Sequence, residues 1–265
     1  MKSKRLNWKY DADFFSKKSD IAEKVFKESS PKIQSPDSNI QHQIDLGLLD
    51  YDVEYYDTLR DIITTPGKGS TDIPCLIAFT SSDFGEGVST IVSKLAITLS
   101  KSSNGQVLIA DSNFAKPSIH KIFGVSLSPG LGEFLTNGNE SDLYIQPSPI
   151  NNLYILPAGD IITNPTSKFD SPMFTELLQK WKSQYKFVLF DTPPMQCDMK
   201  QCDMNSSVRL AGLVEGTIIV IESERVRREV AQNIKERLEH SNANILGVVH
   251  NKTKYYIPKW LYKRL

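Results

Sequence analysis

From residue 75 onward, short apolar runs alternate with segments whose apolar residues recur every three or four positions. The runs are CLIAF (Cys75 to Phe79), QVLIA (Gln106 to Ala110), LYIL (Leu153 to Leu156), KFVLF (Lys186 to Phe190), TIIVIE (Thr217 to Glu222) and ILGVV (Ile245 to Val249). Helical patterns fall between them at 88–101, around Ser118 to Phe123 and Leu131 to Thr136, over Met173 to Gln184, near Ser206 to Leu213 and over Arg225 to His240. Short strands that are apolar at nearly every position are buried on both faces, as in a parallel sheet covered by helices on each side. The pattern therefore predicts an α/β fold with a doubly wound, mostly parallel sheet. Ahead of it, Val53, Tyr56, Leu59 and Ile63 recur at helical intervals and predict one amphipathic helix before the core.

The first fifty residues read differently. They are dense in Lys, Asp, Ser and Gln, centre on the breaker-rich SPKIQSPDSN (Ser30 to Asn39), and hold few spaced apolar positions. Such a stretch cannot bury enough apolar surface to offset its ordering entropy, so 1–50 is expected to be a disordered or loosely docked arm. The folded domain is expected over 51–251, followed by a basic, aromatic tail over 252–265.

Composition narrows the function classes. Thirty-one basic and thirty-one acidic residues cancel, so no global field draws the chain to nucleic acid or to an anionic membrane, and no nucleic-acid partner is expected. No apolar run approaches the roughly 18 residues of a membrane span, and Met1 to Tyr10 lacks the apolar centre of a secretory signal. A cytoplasmic chain is expected. Cys75, Cys197 and Cys202 are too few, and odd in number, for a disulfide framework.

The chemistry concentrates at FGEGVST (Phe84 to Thr90), between an apolar strand and a helical pattern. In a phosphate loop the backbone N–H groups turn inward onto phosphate oxygens, and the helix that follows adds its positive end. Gly85, Glu86, Gly87, Val88, Ser89 and Thr90 form the candidate nucleotide-binding loop, with Ser89 placed to hold Mg²⁺ through its hydroxyl. Val88 stands where such loops carry a lysine. Loss of that charge-assisted contact costs about 1.5–3 kcal/mol of phosphate binding, and more of the stabilisation of a moving phosphoryl group. A second possibility remains open, that the loop is only a tight strand-to-helix turn. Lys94, on the same helix, and Lys116 are conceivable substitutes, and neither has a sequence-based claim on the site.

Two further strands end in carboxylates, Asp111 in VLIADSNFAKP and Asp191 in FVLFDTPP. In a parallel sheet both emerge at the C-terminal edge beside the loop, where they are candidate catalytic residues and, with Ser89, candidate Mg²⁺ ligands.

Taken in order, TSSDFGEGVST, VLIADSNFAKPSIHKIFG, PGLGEFL, LYILPAGDIITNP, KFVLFDTPP and ILGVVHN resemble the bacterial tyrosine kinase family, P-loop proteins akin to the MinD and ParA ATPases, over about Glu54 to Asn251. The resemblance implies ATP or ADP with Mg²⁺ at the loop, a tyrosine-rich C-terminus that accepts phosphate, and an inner-membrane polysaccharide co-polymerase as partner in exopolysaccharide export. Gly85, Gly87, Ser89 and Thr90 match the family's loop, Asp191 its Walker B acid and Asp111 the first acid of its second Walker motif. Three positions depart: Val88 replaces the loop lysine, Asn113 the second acid and Ala115 the arginine of that motif. In the first helix Glu54 and Arg60 match an association motif whose middle arginine is Asp57, which weakens the expectation of a homo-oligomer. The segment after Asn164 and Pro165, acidic and then dileucine in the family, reads TSKF.

Two smaller features remain. QCDMKQCDM (Gln196 to Met204) repeats QCDM, and an exposed loop duplication explains it better than a metal site without histidine. In the tail, Tyr255, Tyr256 and Tyr262 are the phosphoacceptor candidates, and the interleaved Lys and aromatic residues would equally serve docking to a partner or a membrane surface. The leading expectation is a kinase-like protein of impaired catalysis. An active tyrosine autokinase and a MinD- or ParA-like positioning ATPase stand as alternatives.

Overall fold

The computed structural model describes residues 53–65, 73, 75–103, 105–138, 141–160, 162, 164–196 and 203–253. The expectations for the arm over 1–50, for most of the tail with Tyr255, Tyr256 and Tyr262, and for Cys197 and Cys202 lie outside these residues.

The elements follow the hydrophobic pattern closely. In chain order they are α1 (Val53–Thr64), β1 (Leu76–Ser81), α2 (Val88–Ser102), β2 (Val107–Asp111), α3 (Ile119–Phe123), α4 (Leu131–Asn137), β3 (Gln146–Pro147) and β4 (Leu153–Leu156). The series continues with α5 (Pro165–Phe169), α6 (Pro172–Gln184), β5 (Phe187–Asp191), α7 (Met204–Ala211), β6 (Gly216–Glu222), α8 (Arg228–His240) and β7 (Ile245–Asn251). The seven strands form one sheet in the order β3-β4-β2-β5-β1-β6-β7, parallel throughout except for β3.

Period-two alternation decides which face each strand residue covers. Ile77 and Phe79 of β1, Val107 and Ile109 of β2, and Phe187 and Leu189 of β5 pack with α1 and α2, around Leu59, Ile63, Ile91 and Leu95. Their neighbours Leu76 and Ala78, Leu108 and Ala110, and Val188 and Phe190 pack on the other face against Phe169, Phe174 and Trp181 of α5 and α6. A third cluster joins β6 to α7 and α8 through Ala211, Ile219, Ile221, Ile234 and Leu238. A sheet covered on both faces explains why these strands lack a polar register.

The structure amends two expectations and places a segment that the pattern left without an element. Val53 is exposed, while Tyr56, Leu59 and Ile63 are buried, so the apolar stripe of α1 begins one turn later than its spacing suggests. Helix α8 starts at Arg228 rather than Arg225, because a turn with Glu224 at φ 67° intervenes. The segment TSKF belongs to the short helix α5, where the Asn164 side chain caps Ser167 and Phe169 is buried.

Candidate functional site

Strands β2, β5 and β1 are adjacent in the sheet, and all three end at one edge. The glycine loop leaves β1 there, Asp191 ends β5 and Asp111 ends β2, so the three sequence-predicted segments do converge. This is the crevice at the C-terminal edge of a parallel sheet where ligands of such folds bind.

The loop takes its shape from two glycines and an internal brace. Gly85 has φ 84° and Gly87 φ 95°, values in the left-handed region that glycine adopts without strain. A Cβ at Gly87 would also displace the Asn251 side-chain amide. Glu86 is buried at 1% exposure, and its carboxylate accepts hydrogen bonds from the Ser82 hydroxyl and from the N–H of Asp83 at 3.1 Å. Burial pushes its pKa up, and these donors pull it part of the way back. The Glu86 side chain thus closes the loop on its own start, and only its backbone faces a ligand role. Among the described residues, no hydrogen bond uses the N–H of Gly85, Glu86, Gly87, Val88, Ser89 or Thr90 as donor. Open N–H groups at the start of a fifteen-residue helix form an anion cradle.

Val88 is the first residue of α2 and only 8% exposed, packed in the same cluster as Ile91 and Val92. It is a core side chain and supplies no charge to the cradle.

The two carboxylates play unequal parts. Asp111 and Asp191 lie directly across from one another in the β2–β5 register, both without exposure. Asp111 Oδ1 accepts the N–H of Asn113 at 3.0 Å, and Oδ2 accepts those of Ser118 at 3.1 Å and Ile119 at 3.2 Å. Asp111 therefore organises the turn that follows β2, and burial outweighs these three donors to push its pKa up to about 7. Asn113 continues the same turn, its Oδ1 accepting the N–H of Lys116 at 3.1 Å. Neither oxygen of Asp191 has an aligned hydrogen-bond partner among the described residues. Burial first, and the Asp111 carboxylate second, hold Asp191 well above the usual carboxylate range; the Ser89 hydroxyl is near enough to lower it a little but is not aligned to it. A buried carboxylate without donors is costly unless a cation joins it. Asp191 with the Ser89 hydroxyl is an oxygen donor set of the kind Mg²⁺ takes alongside nucleotide phosphates, whereas Asp111 is already occupied by its turn.

Sequence reasoning missed the clamp around the loop. Asn251 Nδ2 donates to Glu86 O at 2.8 Å, Lys252 Nζ to Gly85 O at 2.6 Å and Arg225 Nη1 to Phe84 O at 3.3 Å. Arg225 also pairs with Asp83 and Glu222, and Lys252 with Glu222. These residues come from the ends of β6 and β7, far from the loop in sequence, and only ILGVVHN carried any hint of them. The QCDM repeat is partly explained: Asp203 caps α7 through the N–H of Asn205 and accepts from Thr166. Cys75 is buried, donates to Tyr185 O at 3.2 Å and has a thiol pushed up to about 12, mainly by burial, so it is no nucleophile. A cleft of about 420 Å³ between α1, the end of α2 and the start of β5 contains Arg60 and Lys186 but lies at the opposite edge of the sheet from the glycine loop.

Comparison with known proteins follows the same lines. A family model described as ParA, NUBPL iron-transfer P-loop NTPase, matches residues 72–262. The tyrosine-protein kinase YwqD of Bacillus subtilis is 29% identical over 178 residues, 67% of this chain and 72% of that protein. The tyrosine-protein kinase CpsD of Streptococcus agalactiae is 27% identical over 201 residues, 75% of this chain and 82% of that protein. Among solved structures, the chimerical protein CapA2B2 superposes with a TM-score of 0.67 at 27% identity, covering 76% of this chain and 85% of that one. The MinD protein of Pyrococcus horikoshii, solved with Mg-ADP, superposes with a TM-score of 0.55 at 21% identity, over 72% of this chain and 76% of that one, a likeness of fold.

Proposed function

Because the chain belongs to the ParA family of P-loop NTPases and, within that fold, to the bacterial tyrosine kinase family, we propose that it is a kinase-like protein of exopolysaccharide biosynthesis or export that holds Mg-nucleotide weakly and transfers phosphoryl groups poorly. One observation carries this: a cradle of open N–H groups and an unpartnered Asp191 share a sheet edge with a buried, apolar Val88 at the cationic position. Binding draws on the N–H groups and the helix end, which remain. Phosphoryl transfer draws on charge placed where negative charge moves, and that has been thinned at Val88, Asn113 and Ala115.

Ser89 and Asp191 would hold Mg²⁺, which supplies charge neutralisation at the phosphates when bound. Asp111 holds the β2–α3 turn in position beside them. Glu86 braces the loop from within, and Arg225, Lys252 and Asn251 hold it from its outer side. The fold shared with relatives named tyrosine-protein kinases supports a place in their pathway, and the family resemblance supports an inner-membrane polysaccharide co-polymerase as the partner that keeps the protein at the membrane. Among the described residues no helix is long and apolar enough to cross a membrane.

The test is phosphotyrosine formation by the purified full chain with ATP and Mg²⁺. No signal is expected above that of Asp191→Ala. A strong signal from the wild type that Asp191→Ala abolishes would overturn the impaired assignment in favour of an active autokinase.

A further inference from the structure

A cradle without its lysine still needs a cation if it is to hold a nucleoside di- or triphosphate against bulk water, and the structure separates the candidates. Arg225 and Lys252 reach the loop, but through its carbonyl oxygens at Phe84 and Gly85, and both are paired with Asp83 or Glu222. Where the N–H groups of a loop converge on an anion, its carbonyls point away, so these two cations brace the outer side. Lys94 lies more than a turn into α2, beyond the helix end that meets the phosphates.

Lys116 is placed differently. It is exposed, and it sits in the turn between β2 and α3 at the same sheet edge as the loop. Its Nζ stands 5.8 Å from the centre of the Phe84 ring, the residue that opens the glycine loop. None of the ion pairs among the described residues involves it. The turn beneath it is fixed, because Asp111 and the Asn113 side chain together accept four backbone N–H groups from residues 113–119. A long, flexible amine on a rigid base, resting on an aromatic face at the mouth of an anion cradle, is held by a contact weaker than a charge-assisted bond to phosphate. Entry of a phosphate group would draw it off the ring.

We propose that Lys116 is the phosphate-binding cation of this site, moving from the Phe84 ring onto the β- or γ-phosphate of a bound nucleotide in place of the lysine that Val88 replaces. The assignment rests on the nucleotide-binding function proposed above. Because the amine arrives from a neighbouring turn rather than from within the loop, it supplies ground-state binding without the fixed geometry that phosphoryl transfer demands.

Calorimetric titration of Mg-ADP into the full chain tests it, with wild type, Lys116→Ala, Lys116→Arg and the double variant Val88→Lys with Lys116→Ala. Lys116→Ala is expected to weaken binding about tenfold, with an unchanged melting temperature because the side chain is exposed. Lys116→Arg should stay within about threefold of wild type, since it keeps the charge. The double variant should recover the affinity lost by Lys116→Ala. Wild type that binds Mg-ADP while Lys116→Ala binds it equally well overturns the Lys116 assignment alone. Wild type that takes up no Mg-ADP overturns this assignment and the nucleotide-binding function together.

Discussion

Asp191 has no accessible surface and no aligned donor among the described residues, and a second buried carboxylate, Asp111, lies directly across from it in the β2–β5 register. Both groups hold their protons to higher pH in the folded chain than in the unfolded one, Asp111 up to about 7 and Asp191 with a shift in the same direction. Between the unfolded value near 4 and these raised values the native state binds more protons than the unfolded state, so their contribution to stability falls as pH rises. Asp191→Asn removes one of the two charges and should raise stability at pH 8 by about 1–3 kcal/mol, with the gain shrinking toward pH 4. Thermal unfolding of both proteins at several pH values checks this. A gain that is flat with pH, or a loss at pH 8, would show that Asp191 is already satisfied in the apo chain. The same substitution should abolish the stabilisation by Mg-nucleotide, which separates the structural cost of the carboxylate from its use.

At the level of elements, α1 shows how one residue redirects a surface. Arg60 donates to Asp57 at 2.7 Å and to Asp61 at 2.8 Å, so the acid that stands for the family's middle arginine ties up the neighbouring arginine within the helix. An arginine engaged along its own helix is less available to another copy of the chain, and the chain is expected to run as a monomer in light scattering, with Asp57→Arg raising its self-association. A stable oligomer of the wild type, unchanged by Asp57→Arg, would contradict this. Most elements were legible in the sequence because each central strand is apolar on both faces and each long helix keeps a stripe. What escaped was short or non-local. Strand β3 is two residues paired antiparallel to β4, and α5 is five residues whose only marks are Asn164 and Pro165. At the site, Gly85, Gly87, Ser89, Asp111 and Asp191 were legible as motif positions. Arg225, Asn251 and Lys252 were not, because contacts between the ends of distant strands and a loop leave no spacing to read. The inward turn of Glu86 was equally hidden, since a loop motif does not say which way a side chain points.

For the molecule as a whole, the strand order makes the site. Placing β5 between β1 and β2 brings the glycine loop, Asp191 and Asp111 to adjacent strand ends although more than a hundred residues separate the first from the second. The same scaffold buries Val88 in the α1–α2 layer, so the protein keeps the frame of an NTPase while its loop carries no cation of its own. The protein's function thus turns on whether that frame still holds nucleotide. Calorimetric titration of Mg-ADP into wild type and Val88→Lys measures it most directly. Measurable binding by the wild type, made about 10- to 100-fold tighter by Val88→Lys, is the expected result, matching the roughly 1.5–3 kcal/mol of a charge-assisted phosphate contact. Binding that appears only in Val88→Lys, with none in the wild type, would mean that the loop holds the fold and nothing else.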